Sequence, residues 1–140
     1  MNLPDSQIAV TLFNLRDYCK TESELDATLD KLCKIGYKAV QVSAIPLEPA
    51  VIKKQLDKHG LYCCATHDGL PMIKDETKRL IEKMHTLECD FVALGAPPLD
   101  WLKDRAKFDE LINIFNEKIF HSRNSYKKRC RIFHRYVYQF

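Results

Sequence analysis

Three short stretches carry the residue types best suited to chemistry, and each closes a run of β-prone residues. The sharpest is Cys63-Cys-Ala-Thr-His-Asp-Gly69. At the end of a strand, the His67 imidazole can orient a substrate hydroxyl, shuttle a proton near neutral pH or ligate a metal; otherwise it is an uninvolved loop histidine. A metal centre needs about three protein ligands, and this stretch offers His67 and the adjacent Asp68. Arg16, just after the first such run, has a guanidinium suited to a phosphate or carboxylate. Its alternative is a local pair with Asp17 or another nearby acid. Gln41 either bonds a substrate hydroxyl or is satisfied by backbone. His59 and His85 fall in helical segments and read as solvated helix residues.

The elements that must hold these residues alternate regularly. β-Prone runs start near residues 8, 39, 61 and 91, and each leads into a helical pattern. Such alternation at about thirty residues or fewer predicts right-handed βαβ crossovers and a parallel sheet covered by helices. The first helix opens with a capping box, Thr21 with Glu24. It carries Leu25, Leu29, Leu32 and Cys33 on one face and stops at Gly36. The second starts at Pro49, carries Val51, Ile52 and Leu56, and ends at Gly60. Leu61 to Thr66 forms the third strand, and its helix begins near Asp75 with Leu80, Ile81, Met84 and Leu87 at helical spacing. Phe91 to Leu94 is the fourth strand, and Phe108, Leu111, Ile112 and Phe115 mark the fourth helix. In such sheets, ligand groups come from the C-terminal ends of the strands, which hold Asn14, Arg16 and Asp17, then Gln41, Ser43 and Pro46, then Thr66, His67 and Asp68, then Gly95 and Pro97. No glycine-rich phosphate loop follows any strand, which removes the main support for a nucleotide-binding doubly wound fold.

With 140 residues, 46% of them hydrophobic, the chain can build one core of ordinary size. It has no run of eighteen apolar residues and no basic, apolar leader at Met1-Asn-Leu-Pro-Asp5, so the cytoplasm is the expected compartment and no membrane partner is expected. Six cysteines at irregular spacing, without a Cys-x-x-Cys pair, read as reduced and mostly buried small hydrophobes. The net charge of +3 is unevenly spread. Residues 1 to 117 hold 15 Lys and Arg against 19 Asp and Glu, a net of −4; residues 118 to 140 hold seven basic residues and no acid. Cations interleaved with Tyr126, Phe133, Tyr136, Tyr138 and Phe140 suit nucleic acid, but a short aromatic and basic terminus is more often nonspecific, and nucleic acid is not expected as a partner.

Taken in order, Thr11-Leu-Phe-Asn-Leu-Arg-Asp17, Thr21-Glu-Ser-Glu-Leu25, Lys34-Ile-Gly-Tyr37, Val40-Gln-Val-Ser43, His59-Gly-Leu61 and Ala65-Thr-His67 resemble the opening of the sugar phosphate isomerase/epimerase family. The resemblance covers about residues 7 to 116, half of a barrel. It implies an α/β fold: a parallel (β/α)4 half of a xylose isomerase-like TIM barrel, followed by an atypical basic tail. It also implies aldose-ketose isomerisation or epimerisation of a small sugar or sugar phosphate, assisted by a divalent ion (Mn, Mg, Co or Zn). On that resemblance His67 is the catalytic candidate, and Arg16, Gln41 and His67 are the substrate-binding candidates. The related endonuclease IV branch has a zinc-binding His followed by an acid at the end of its third strand, and His67-Asp68 resembles it. The family's metal ligands come mostly from strands five to eight, so no metal ligand is assigned in this chain.

The family pattern stops after the fourth helix. Where relatives continue into a fifth strand, this chain reads Lys118-Ile-Phe-His-Ser-Arg-Asn-Ser-Tyr-Lys-Lys-Arg-Cys-Arg-Ile132. The apolar period fades and the acids vanish at one place, dividing the chain into a barrel half, 1–117, and a divergent basic and aromatic tail, 118–140. A reading-frame slip within the A-rich codons of Asn116-Glu117-Lys118 accounts for both changes. In the neighbouring frame, residues 119 to 133 back-translate to an amphipathic string ending in Asp-Ala-Gly-Phe. A half-barrel is expected to leave two sheet edges and an apolar sheet face open, to self-associate through them, to form no fifth strand and to lack isomerase turnover. The competing expectation is a noncatalytic fragment or interaction module that exposes a sheet face.

Overall fold

The structure, a computed structural model, describes residues 8–125 and 131–132, with side chains to residue 118. Five strands form one parallel sheet in the order β1-β2-β3-β4-β5: β1 (Ala9–Thr11), β2 (Ala39–Ser43), β3 (Tyr62–Asp68), β4 (Phe91–Leu94) and β5 (Arg131–Ile132). A 3-10 helix, Leu12–Tyr18, follows β1 directly. The α-helices are α1 (Glu22–Ile35), α2 (Pro49–Lys58), α3 (Leu70–Lys74), α4 (Thr77–Thr86), α5 (Leu99–Lys103) and α6 (Arg105–Ser125).

Local chemistry sets the main helix boundaries. At α1 the Glu24 amide donates to Thr21 Oγ1 at 3.2 Å and the Thr21 amide donates to Glu24 Oε2 at 2.9 Å, which satisfies two otherwise orphaned donors. Gly36 ends the helix at φ 111°, a left-handed conformation costly for any residue with a Cβ, and its amide reaches back to Leu32 and Cys33. Pro49 opens α2, where its missing N–H costs nothing.

The helices pack on one face of the sheet. Val40, Val42, Cys63 and Val92 point into a core shared with Leu25, Leu29 and Leu32 of α1, Ile52 and Leu56 of α2, Leu80 and Met84 of α4, and Leu111, Ile114 and Phe115 of α6. That is the layering of a barrel half. The opposite face, expected from the sequence to be apolar, is mixed, and polar toward the C-terminal ends of the strands. Strand alternation assigns the valines to the helices and leaves Ala9, Thr11, Ala39, Gln41, Ser43, Ala65, His67 and Ala93 on the open side, with Tyr62 and Phe91 toward its N-terminal end.

Four expectations need correction. A fifth strand forms: Arg131 and Ile132 pair in parallel with Phe91 and Val92, because α6 runs across residue 118 to Ser125 and returns the chain beside β4. β3 extends through Asp68, so His67 lies in a strand rather than a loop. Short helices α3 and α5 occupy the connections after β3 and β4; five residues are too few to show a 3.6-residue period. His59 is not solvated: its side chain is 12% exposed, and Nε2 lies 2.6 Å from Asp26 Oδ1 across the α1–α2 contact. The aromatic residues Tyr126, Phe133, Tyr136, Tyr138 and Phe140, and Cys130, lie outside the described residues.

Candidate functional site at the C-terminal rim of the sheet

A one-residue irregularity decides which side chains reach the rim. Val40 pairs with Cys63, but Gln41 pairs with Ala65, so Cys64 is an extra residue in β3, its thiol 3.3 Å from the Val40 carbonyl. A single inserted residue reverses the facing of everything after it. Cys63 faces the helices; beyond the bulge Thr66 and Asp68 face them too, and His67 is turned to the open side. In an unbroken strand the assignment of His67 and Asp68 would be swapped.

Asp68 is thereby committed to structure. It is 8% exposed, accepts from Thr66 Oγ1 at 2.8 Å, and is paired with Lys83 of α4 at 2.6 Å. A buried carboxylate needs both contacts to offset its lost hydration. His67 faces the other way, in register with Ser43 on β2 and Ala93 on β4. No group among the described residues hydrogen-bonds its imidazole. Ser43 is 7% exposed and equally without a hydrogen-bond partner among the described residues, yet its side chain lines the same groove. Gly95 stands beside His67: a Cβ there would make ordinary contact with His67 Cβ at 3.4 Å.

The groove has a volume of about 1060 Å³ and runs along the strand ends. Thr11, Ser43 and His67 line it from the sheet, Glu48 from the start of α2, and Arg79 and Lys83 from α4. Ala44, directly after Ser43, adopts φ 55°, an uncommon conformation for a residue with a Cβ. Such backbone strain clusters at ligand sites.

The other sequence candidates lie differently. Gln41 is 8% exposed and is used within the protein: its Oε1 accepts from the Thr11 hydroxyl and its Nε2 donates to the Val42 carbonyl at 3.3 Å. Arg16 is exposed and folds onto its own turn, donating to the Phe13 carbonyl at 2.7 Å with its guanidinium 4.3 Å from the Phe13 ring centre. It is not among the residues lining the groove. Asp17 pairs instead with Lys20 at 3.3 Å. The sequence places Ser43 and Gly95 among the residues at the strand ends but does not single them out as site residues. The period-2 step from Gln41 to Ser43 was the available signal for the first.

None of the described cysteines lines the groove, although the Cys63 thiol holds the buried Cys89 thiol beside it below its ordinary value. The neighbouring Cys89 thiol, together with burial, pushes the Cys63 thiol far up, and burial pushes Cys19 and Cys64 up. No divalent-ion site is assembled among the described residues. His67 stands on the open face, Asp68 on the opposite face against Lys83, and no three His, Cys, Asp or Glu residues converge among the described residues.

No protein-family model and no curated protein matches the chain. Its fold matches solved structures. A sugar phosphate isomerase/epimerase from Parabacteroides distasonis superposes with a TM-score of 0.64 at 15% identity, over 84% of this chain and 48% of that one. An AP endonuclease of family 2 from Brucella melitensis gives 0.55 at 14% identity, over 84% and 49%. A xylose isomerase domain containing protein from Salmonella typhimurium gives 0.54 at 11% identity, over 67% and 38%. The chain thus spans half or less of the length of these structures. Among the described residues no helix is long and apolar enough to cross a membrane. Its parallel strands, helices on one face and partial coverage of these three proteins identify the fold as half of a xylose isomerase-like (β/α)8 barrel.

Proposed function

We propose that the chain is half of a cytoplasmic isomerase or epimerase barrel acting on a sugar or sugar phosphate, with residues 1–117 forming the barrel half and 118–140 a divergent tail of reading-frame origin. The observation carrying this reading is the His67 imidazole, unpartnered among the described residues and directed at a groove on the C-terminal rim, the face on which (β/α)8 barrels act. His67 holds or moves a proton at a substrate hydroxyl, and Ser43 fixes that hydroxyl beside it. A divalent ion, polarising a carbonyl and the adjacent hydroxyl, belongs to the rest of the barrel, because no donor set converges among the described residues. Free thiols at Cys19, Cys33, Cys63, Cys64 and Cys89 accord with a reducing compartment.

A second reading, a noncatalytic interaction module, is favoured by one feature: β1 pairs on one side with β2 and has no partner strand on the other among the described residues.

Sequencing the gene beyond codon 140 and expressing the frame-restored product separates the two. The expected outcome is metal-dependent interconversion of an aldose-ketose or epimer pair by the restored protein, none by the 140-residue chain, and at least about a hundredfold loss of turnover in His67→Ala with little loss of stability. A downstream sequence encoding no further βα units, or unchanged turnover in His67→Ala, defeats the proposal.

A further inference from the structure

We infer that Ser43 and His67 form a binding site for the vicinal hydroxyls of a neutral sugar, and that this rim does not receive a phosphate group. The inference rests on the sugar-directed reading above and narrows it.

The buried side-chain atom without a partner among the described residues is Gln55 Oε1, not the Ser43 hydroxyl. Ser43, 7% exposed as a residue, has no hydrogen-bond partner among the described residues and lines the groove that His67 also lines, so its hydroxyl is reached from the groove. The two are register partners on adjacent parallel strands, which sets their Cα atoms about 5 Å apart. A hydroxyl that donates and accepts beside an imidazole that donates and accepts matches two adjacent sugar hydroxyls, each of which does both. Gly95 lines the same groove beside His67, and Ala44, immediately after Ser43, adopts a left-handed conformation.

Charge decides against phosphate. The groove is lined by three carboxylates, Glu48, Asp68 and Glu82, and two cations, Arg79 and Lys83. Both cations are already engaged, Lys83 with Asp68 at 2.6 Å and Arg79 with Glu76 at 2.9 Å. Phosphate recognition needs free donors or cations converging on the anion, and Arg16, the cation that the sequence offered for this task, is folded onto Phe13 outside the lining.

The test is a titration of the 140-residue chain with D-xylose and, separately, with inorganic phosphate, following the histidine imidazole NMR signals. The His67 signal is assigned by its loss in His67→Gln, and circular dichroism verifies the fold of each variant. D-Xylose is expected to move the His67 signal with millimolar affinity, phosphate is not, and Ser43→Ala is expected to weaken xylose about tenfold, the effect of one lost hydrogen bond. Xylose binding unchanged in Ser43→Ala overturns the paired site and leaves the isomerase reading standing. Phosphate moving the His67 signal at lower concentration than xylose overturns the neutral-sugar assignment, again without touching that reading. Failure of xylose to move the signal overturns the site. If the frame-restored protein also fails to turn over any sugar, the broader reading falls with it.

Discussion

The rim around Ser43 and His67 and the seam between α1 and α2 are both rich in polar side chains, but they use them oppositely. At the seam nearly every charge has a partner. Asp26 accepts from Lys58 at 2.7 and 2.8 Å and meets His59 at 2.6 Å, while Glu22 accepts from Lys54 at 2.8 Å and from Gln55 at 2.7 Å. Lys58 and His59 hold the Asp26 carboxyl below its ordinary range, and Lys54 and Gln55 do the same for Glu22. At the rim, Ser43 and His67 face a groove without protein partners among the described residues. A satisfied polar cluster supports the fold, whereas unsatisfied groups aimed into a concavity remain available to a ligand.

Substitutions that keep the two regions apart should differ in size and sign. The largest effect is expected just behind the rim, where Lys83→Met leaves the Asp68 carboxylate buried without its cation. A loss of about 3 kcal/mol should appear in urea denaturation, because removing one member of a buried pair strands the other. A loss below about 1 kcal/mol would show that Asp68 is better hydrated than its burial implies.

The seam should respond next, and through pH. Asp26 and Glu22 have folded-state pKa values below their ordinary 3.8 and 4.5, so the unfolded chain binds more protons in this range. Their contribution is therefore present in full above about pH 5 and is lost as acid carries the carboxyls through their lowered values. Melting temperature followed from pH 6 to pH 2 should fall less steeply in Asp26→Asn, and that variant should itself melt slightly below the parent at pH 7. An identical acid slope in parent and variant would remove the seam from the account.

The smallest effect on stability is expected at the rim itself. Ser43→Ala removes a groove-lining hydroxyl that has no partner among the described residues, so stability should change by no more than about 0.5 kcal/mol, with a slight gain as readily as a loss. A loss above 1 kcal/mol would mean that the hydroxyl carries structure and would blur the contrast with the seam.

Most of the architecture was written in local chemistry. The Thr21–Glu24 capping box, the left-handed Gly36, the opening Pro49 and the bounds of β2 and β4 depend on side chains within a few residues of one another, and they stand where the sequence places them. The ranking of site residues did not follow from such signals. Arg16 and Gln41 have suitable side chains, but whether a guanidinium reaches a ligand or its own turn depends on how the chain leaves β1. Ser43 matters because it pairs with His67, a relation that 24 positions of sequence separation conceal.

The facing of His67 shows the division most clearly. The sequence by itself determined that an imidazole and a carboxylate would be neighbours at the end of the third strand, and period-2 alternation guarantees that neighbours point to opposite faces. It did not determine which one faces the open side. That choice was made by the bulge at Cys64, where β3 accommodates one more residue than β2 between the same two ladder positions. The return of the chain into β5 beside β4 was likewise decided at long range, through main-chain pairing available to almost any side chain. Register is a property of two strands at once, so no reading of one strand alone could have fixed it.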